Sequence, residues 1–159
     1  MRIQWALLAE GITQDARGAL TAVGLAQSVL AAPALPVMIK RAVVILLSGS
    51  IEEYAPGDPV RFTFRVESPS GESIAAHDGT IQMIIPAFPD LPIGINLAAE
   101  SVFTVKEYGR HVVRVAAQSG NNDKLEIDLE FYVTTPPDGS IQNIATGGVS
   151  ATRSSASAT

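Results

Sequence analysis

The chain has 159 residues, 47% of them apolar, no cysteine, and a formal charge of −5 from 11 basic and 16 acidic side chains. A domain of this size can close a core without staples, at roughly 25 cal/mol for each Å² of apolar surface taken from water. The missing thiols exclude thiol catalysis, thiolate metal sites and redox switching and suit a reducing cytoplasm, while so few scattered Lys and Arg argue against nucleic acid.

Residues 3–11 carry mixed apolar character with one acid near the end, and read as a first strand buried for part of its length on both faces. Trp5 is the single tryptophan, expected as a core or edge anchor rather than as a ligand-stacking ring. A secretory leader is not expected, because Glu10, Asp15 and Arg17 interrupt the apolar stretch it needs. Residues 13–18 read as a turn with Gly18 suited to positive φ. The stretch 19–32 fits two patterns. Thr21, Val23, Leu25, Gln27 and Val29 suit a strand, whereas Leu20, Val23, Gln27 and Leu30 suit a helical stripe; Gly24 and the β-branched Val23 and Val29 favour the strand.

Pro33 and Pro36 bracket a loop, after which residues 37–48 end in the unbroken aliphatic run 42–47. That run belongs at the centre of a sheet, and it is far short of the roughly 20 residues that cross a bilayer. Val60, Phe62, Phe64 and Val66 alternate with Arg61, Thr63, Arg65 and Glu67, a clean half-buried strand. Residues 73–76 and 80–85 give one broken strand or two short ones around His77-Asp78-Gly79. The segment 86–92 holds three of the ten prolines and is expected as a crossing or exposed loop. Residues 93–97 resume as a strand, and 102–105 continue it or pair nearby.

Residues 110–133 are the clearest part of the chain. Val113, Val115 and Ala117 face one way on a first strand, and Leu125, Ile127, Leu129, Phe131 and Val133 on a second, with the turn-rich 118–123 between them. Ala117 is expected opposite 121–123 and Arg114 near Asp128, a pair worth at most about 1 kcal/mol. Seven or eight strands of this kind specify an all-β, antiparallel two-sheet sandwich of immunoglobulin-like type over residues 1–136. Residues 137–159, rich in Gly, Ser, Ala and Thr, read as a flexible C-terminal tail.

Several of these residues resemble a bacterial domain family of unknown function. They are Ala6-Leu7-Leu8-Ala9-Glu10, the return from Gln14 through Gly18 to Gly24, Pro92-Ile93-Gly94-Ile95-Asn96-Leu97, Tyr108-Gly109-Arg110-His111 and Glu130-Phe131-Tyr132-Val133. Members of that family open with an ALLA-(D/E) strand and a DGKLNxxG hairpin, and close with LALNL, GRYxxxL and a terminal F-V strand. The resemblance covers about residues 3–134 and implies a compact bacterial sandwich with no activity to carry over. His111 stands where the family tends to have tyrosine, Ala16-Arg17-Gly18 replaces the tighter Asp-Gly turn, and Tyr108 is left as the candidate for a tyrosine-corner hydrogen bond.

Chemistry has little to start from. His77 and His111 are the two histidines, and a metal site would need them to converge with Asp78, Asp90 or Glu107. No Gly-x-Ser-x-Gly elbow supports a serine triad, Gly147-Gly148 lies in the tail rather than between a strand and a helix, and Glu52-Glu53 on an extended chain point to opposite faces. Glu126, Asp128 and Glu130 share one face and call for Arg110 and Arg114 beside them; their default role is solubility and protection of the sheet. The expectation is therefore a non-catalytic interaction or assembly module without catalytic residues, metal or cofactor, acting in the cytoplasm through a protein partner or self-association. The loops 51–59 and 86–92 and the tail are the expected contact regions. A subunit of a phage-like or filamentous particle, and a small-ligand binder or hydrolase, are the alternatives.

Overall fold

The computed structural model describes residues 1–16, 19–25, 28–50, 59–82, 93–120 and 124–137. Ten strands run through them: β1 (Arg2–Ala9), β2 (Gly11–Gln14), β3 (Leu20–Val23), β4 (Val29–Ala31), β5 (Val37–Gly49), β6 (Val60–Glu67), β7 (Ser73–Ile81), β8 (Ile93–Val105), β9 (Gly109–Ser119) and β10 (Leu125–Thr134). They form a three-stranded sheet in the order β1-β5-β8, a five-stranded sheet in the order β4-β10-β9-β6-β7, and a two-stranded ribbon, β2-β3. The protein is all-β, and the two larger sheets enclose one hydrophobic core.

The aliphatic run 42–47 does lie centrally. β5 pairs with β1 on one side and with β8 on the other, and Ala42, Val43, Val44, Ile45 and Leu47 are all buried. Its odd-numbered residues share the inner lane with their register partners: Leu47 with Ile3 and Ile95, Ile45 with Ala6 and Leu97, Val43 with Leu8 and Ala99. On the larger sheet the period-two pattern of β6, β9 and β10 builds matching rows, Phe64–Val115–Ile127 and Val66–Val113–Leu129. Phe103 and Phe131 meet across the two sheets with ring centroids 6.1 Å apart. Each fully buried Val, Leu or Phe in these rows contributes roughly 1.5–3 kcal/mol.

Between residues 1 and 32 the chain departs from expectation. The first strand ends at Ala9, and residues 11–14 pair with residues 20–23 as a separate ribbon where a turn was expected from Thr13. Thr13, Gln14 and Thr21 are polar and exposed, so no apolar alternation marks that ribbon in the sequence. It is fastened at its base by Glu10 N–H donating to the Val23 carbonyl (2.9 Å), beside Gly24 at φ +65°. A side chain at Gly24 would place its Cβ 2.5 Å from Glu10 Cγ. Of the two patterns open for residues 19–32, the strand is the one found, as β3 and β4.

Three further expectations are corrected. The pairings are antiparallel except for β4, which runs parallel to β10 with Val29, Leu30 and Ala31 beside Tyr132, Val133 and Thr134. β7 is a single strand through Gly79, where the Phe62 ring lies so close that an added Cβ would be 2.1 Å from it. Of the two alternatives for residues 102–105, continuation of the 93–97 strand is the one found: β8 is one strand of 13 residues, in unbroken register with β5 from Val37–Val105 to Gly49–Ile93. In the β9–β10 hairpin Ala117 lies opposite Leu125 rather than 121–123, and Arg114 lies opposite Asp128 as expected. The expectations for 51–58, 83–92 and 138–159 lie outside the described residues.

Candidate functional site

Besides the buried Ser119 Oγ on β9, two regions hold polar groups without a partner among the described residues. The first is inside the sandwich. Arg41 occurs in phase with Ile39, Val43 and Ile45, so the pleat of β5 turns it inward, where it is 1% exposed. Its guanidinium carbon lies 5.8 Å from the centre of the Phe131 ring, and its Nε and Nη2 have no hydrogen-bond partner. Desolvation lowers the Arg41 pKa, and the Glu10 carboxylate opposes that shift. An arginine nevertheless stays charged, so this end of the core holds an under-compensated cation.

His111, opposite Phe131 in register, is fully buried and stacks on the same ring at 4.9 Å and 15°. Its Nδ1 sits 3.2 Å from the Gly109 carbonyl, which assigns the proton to Nδ1, and Nε2 is left without a partner. Burial lowers its pKa, ahead of the opposing effects of the Gly109 hydrogen bond and of Glu107. The imidazole is neutral at pH 7.

His77 lies apart from this group. It faces inward on β7, in register with Phe64, stacks on that ring at 5.8 Å, and hydrogen-bonds through Nε2 to Ser101 Oγ at 2.8 Å. A serine hydroxyl on an imidazole is the first half of a nucleophile pair. Here Ser101 is only 5% exposed, which denies a substrate access to Oγ. The bond instead ties β7 to β8 across the two sheets.

The remaining candidates disperse. Asp78 follows His77 on β7 and so faces the opposite side of the sheet. Glu107 accepts hydrogen bonds from Ser70 N (3.2 Å) and Ser70 Oγ (2.7 Å). Asp90, Glu52 and Glu53 lie outside the described residues. Among the described residues no group of three His, Asp or Glu is placed to hold a metal ion, and no helix is long and apolar enough to cross a membrane. Tyr108 donates its hydroxyl to the Ala32 carbonyl at 3.2 Å, 76 residues away, so it fastens the end of β4 rather than making a local corner. Trp5 is an edge-strand residue on the outer face of the smaller sheet, in register with Leu46 and 40% exposed.

The second region is β10. Its outer face carries Glu126, Asp128 and Glu130, and the expected bases do stand beside them. Arg110 bonds Glu130, Arg114 Nε lies 4.0 Å from Asp128 Oδ1 and its Nη2 3.2 Å from Glu67, and Lys124 pairs with Glu126. The hydrogen bond from Arg110 holds Glu130 below the usual carboxylate range, and that from Lys124 does the same for Glu126. Glu67, Arg114, Lys124, Glu126 and Asp128 line, with Arg65, a shallow open groove of about 570 Å³.

Among the described residues the backbone beside this ladder has no partner strand. Tyr132 N–H donates to Ser28 O (2.6 Å) and Ala32 N–H to Thr134 O (2.8 Å), so the even-numbered residues of β10 direct their backbone groups away from β9. Among the described residues β4 covers Tyr132 to Thr134. By the two-residue period, the N–H and C=O of Glu126, Asp128 and Glu130 face an edge that no described strand occupies. Along it Leu125, Ile127 and Leu129 are half-buried on the inner side.

No family model matches the chain, and no curated protein matches it either. Among solved structures it is similar to one described as the C-terminal domain of wzt, at 12% sequence identity and a TM-score of 0.45, over 86% of this chain and 74% of that one.

Proposed function

We propose that this chain is a non-catalytic protein-interaction module whose contact is strand addition at the β10 edge. The observation that carries the reading is the row of outward backbone groups at Glu126, Asp128 and Glu130, flanked by half-buried Leu125, Ile127 and Leu129. An extended segment laid there would satisfy the backbone and cover the leucines, which is how edge strands take partners. In this reading the sandwich is an immunoglobulin-like one of bacterial type, working in the cytoplasm, and the contact does not need residues 138–159.

Proline at an outward-facing position separates contact from stability. Asp128→Pro removes an N–H that no described strand pairs, whereas Ile127→Pro removes one that pairs with Val115 on β9. Capture from a bacterial lysate is run with the full chain, with Asp128→Pro and with residues 138–159 deleted. A specific partner lost with Asp128→Pro and kept by the deletion supports the reading. A partner lost with the deletion and kept by Asp128→Pro moves the contact to the tail and ends it.

A further inference from the structure

We infer that the segment taken at the β10 edge alternates basic and apolar residues, an inference that rests on the strand-addition reading above. The sandwich has other edges, and the β10 edge differs from them in its row of three acids. β1 is interrupted by a register shift between Ile3 and Trp5, and a bulge re-aims the groups a new strand would need. The flank formed by β7 and β8 is tied by the His77–Ser101 hydrogen bond. β10 has an unshifted register with β9 from Leu125 to Val133, so residues 125–131 present a straight edge.

What that edge asks of a partner follows from its two lanes. A strand added beside β10 sets alternate side chains next to Glu126, Asp128 and Glu130, whose side chains are 63%, 54% and 40% exposed. Their present bases, Lys124, Arg114 and Arg110, come from β10 itself or from β9, on the side away from the edge. Asp128 is the least committed, its contact with Arg114 being the longest at 4.0 Å. The other alternate positions of the added strand fall beside Leu125, Ile127 and Leu129 and call for Val, Ile or Leu.

A second copy of this chain meets the requirement badly. Antiparallel β10 edges centred on Asp128 would set three acids against three acids, and like charges directly opposite destabilise a pair. The acid lane therefore both selects a basic partner and opposes edge-to-edge association of the protein with itself.

The test uses the full chain and two synthetic peptides, one alternating Lys with Val and one alternating Glu with Val. Backbone amide NMR of β10 is the readout, at low and at physiological salt. The Lys–Val peptide is expected to shift and protect the amides of Glu126, Asp128 and Glu130, and to bind about tenfold tighter than the Glu–Val peptide at low salt, as three favourable cross-strand pairs imply. Salt narrows the difference, and a chain carrying Glu126→Lys, Asp128→Lys and Glu130→Lys reverses the preference. Equal binding of both peptides to these amides would overturn the charge inference and leave strand addition standing. No change at these amides with either peptide would overturn both, and concentration-dependent pairing of two β10 edges would overturn the charge inference alone.

Discussion

The flank where β7 meets β8 and the flank where β10 meets β1 are built from the same kinds of strand and end differently. On the first, Phe64 and Val66 are fully covered, His77 stacks on Phe64, and its remaining donor or acceptor at Nε2 reaches Ser101. On the second, Leu125, Ile127 and Leu129 stay half-buried, the outward backbone from Glu126 to Glu130 meets no described strand, and the nearby interior holds Arg41 with two guanidinium nitrogens unsatisfied. Polar groups on one flank are used up by the fold. On the other, the buried nitrogens of Arg41 and His111 are left without a partner, and each costs stability that a structure serving itself alone would recover.

Substitutions on the two flanks therefore have opposite signs. Phe64→Ala, on the tied flank, empties the row Phe64–Val115–Ile127 and is expected to lower unfolding free energy by about 3–5 kcal/mol in a denaturant titration. Arg41→Met keeps the packing over Phe131 and removes the buried charge, and should raise stability by about 1–4 kcal/mol. A loss of stability in that variant would show the charge to be compensated after all.

His111 gives the open side a pH dependence. Its folded pKa is lowered, so below the ordinary value of 6.5 the unfolded chain binds a proton that the folded chain does not. Stability from this group is complete above that pH and falls as pH drops through it, at up to about 1.4 kcal/mol per pH unit until the folded pKa is reached. His111→Phe, which preserves stacking on Phe131, is expected to flatten that slope between pH 6.5 and lower values when stability is followed against pH. The smallest effect is on the tied flank. Ser101→Ala removes one hydrogen bond to a partly solvated imidazole and should cost about 1 kcal/mol or less, read as a small fall in thermal midpoint.

The sequence announces strands that bury one face and is silent about those that do not. β5, β6 and the β9–β10 hairpin are legible because apolar residues recur at every second position, and the Arg114–Asp128 pair follows from that register. The ribbon β2–β3 has no apolar face toward the core, so Thr13 and Gln14 resemble a turn. Whether β8 is one strand or two stays open in the sequence because Ala98-Ala99-Glu100-Ser101 interrupts its large residues, although these four pair with β5 as regularly as their neighbours do. The parallel seat of β4 depends on a contact more than 100 positions away and has no local signature.

The polar interior was within reach of the same parity rule. Arg41 stands in step with Ile39 and Val43, and His111 with Val113 and Val115, so alternation alone places both side chains inside. Residue type argues the other way for an arginine, and the pleat prevails because neighbouring backbone pairs fix the strand on both sides. The unpaired edge of β10 is not legible from its residues at all, since it depends on where β4 stops.

Amide hydrogen exchange across β10 in the isolated protein tests the account most directly. Alternation is expected, with Glu126, Asp128 and Glu130 exchanging fast and Ile127, Leu129 and Phe131, whose backbone pairs with β9, exchanging slowly. Uniform protection from Leu125 to Phe131 would mean that the edge is already occupied within the chain, and the proposed docking strand would have nowhere to sit.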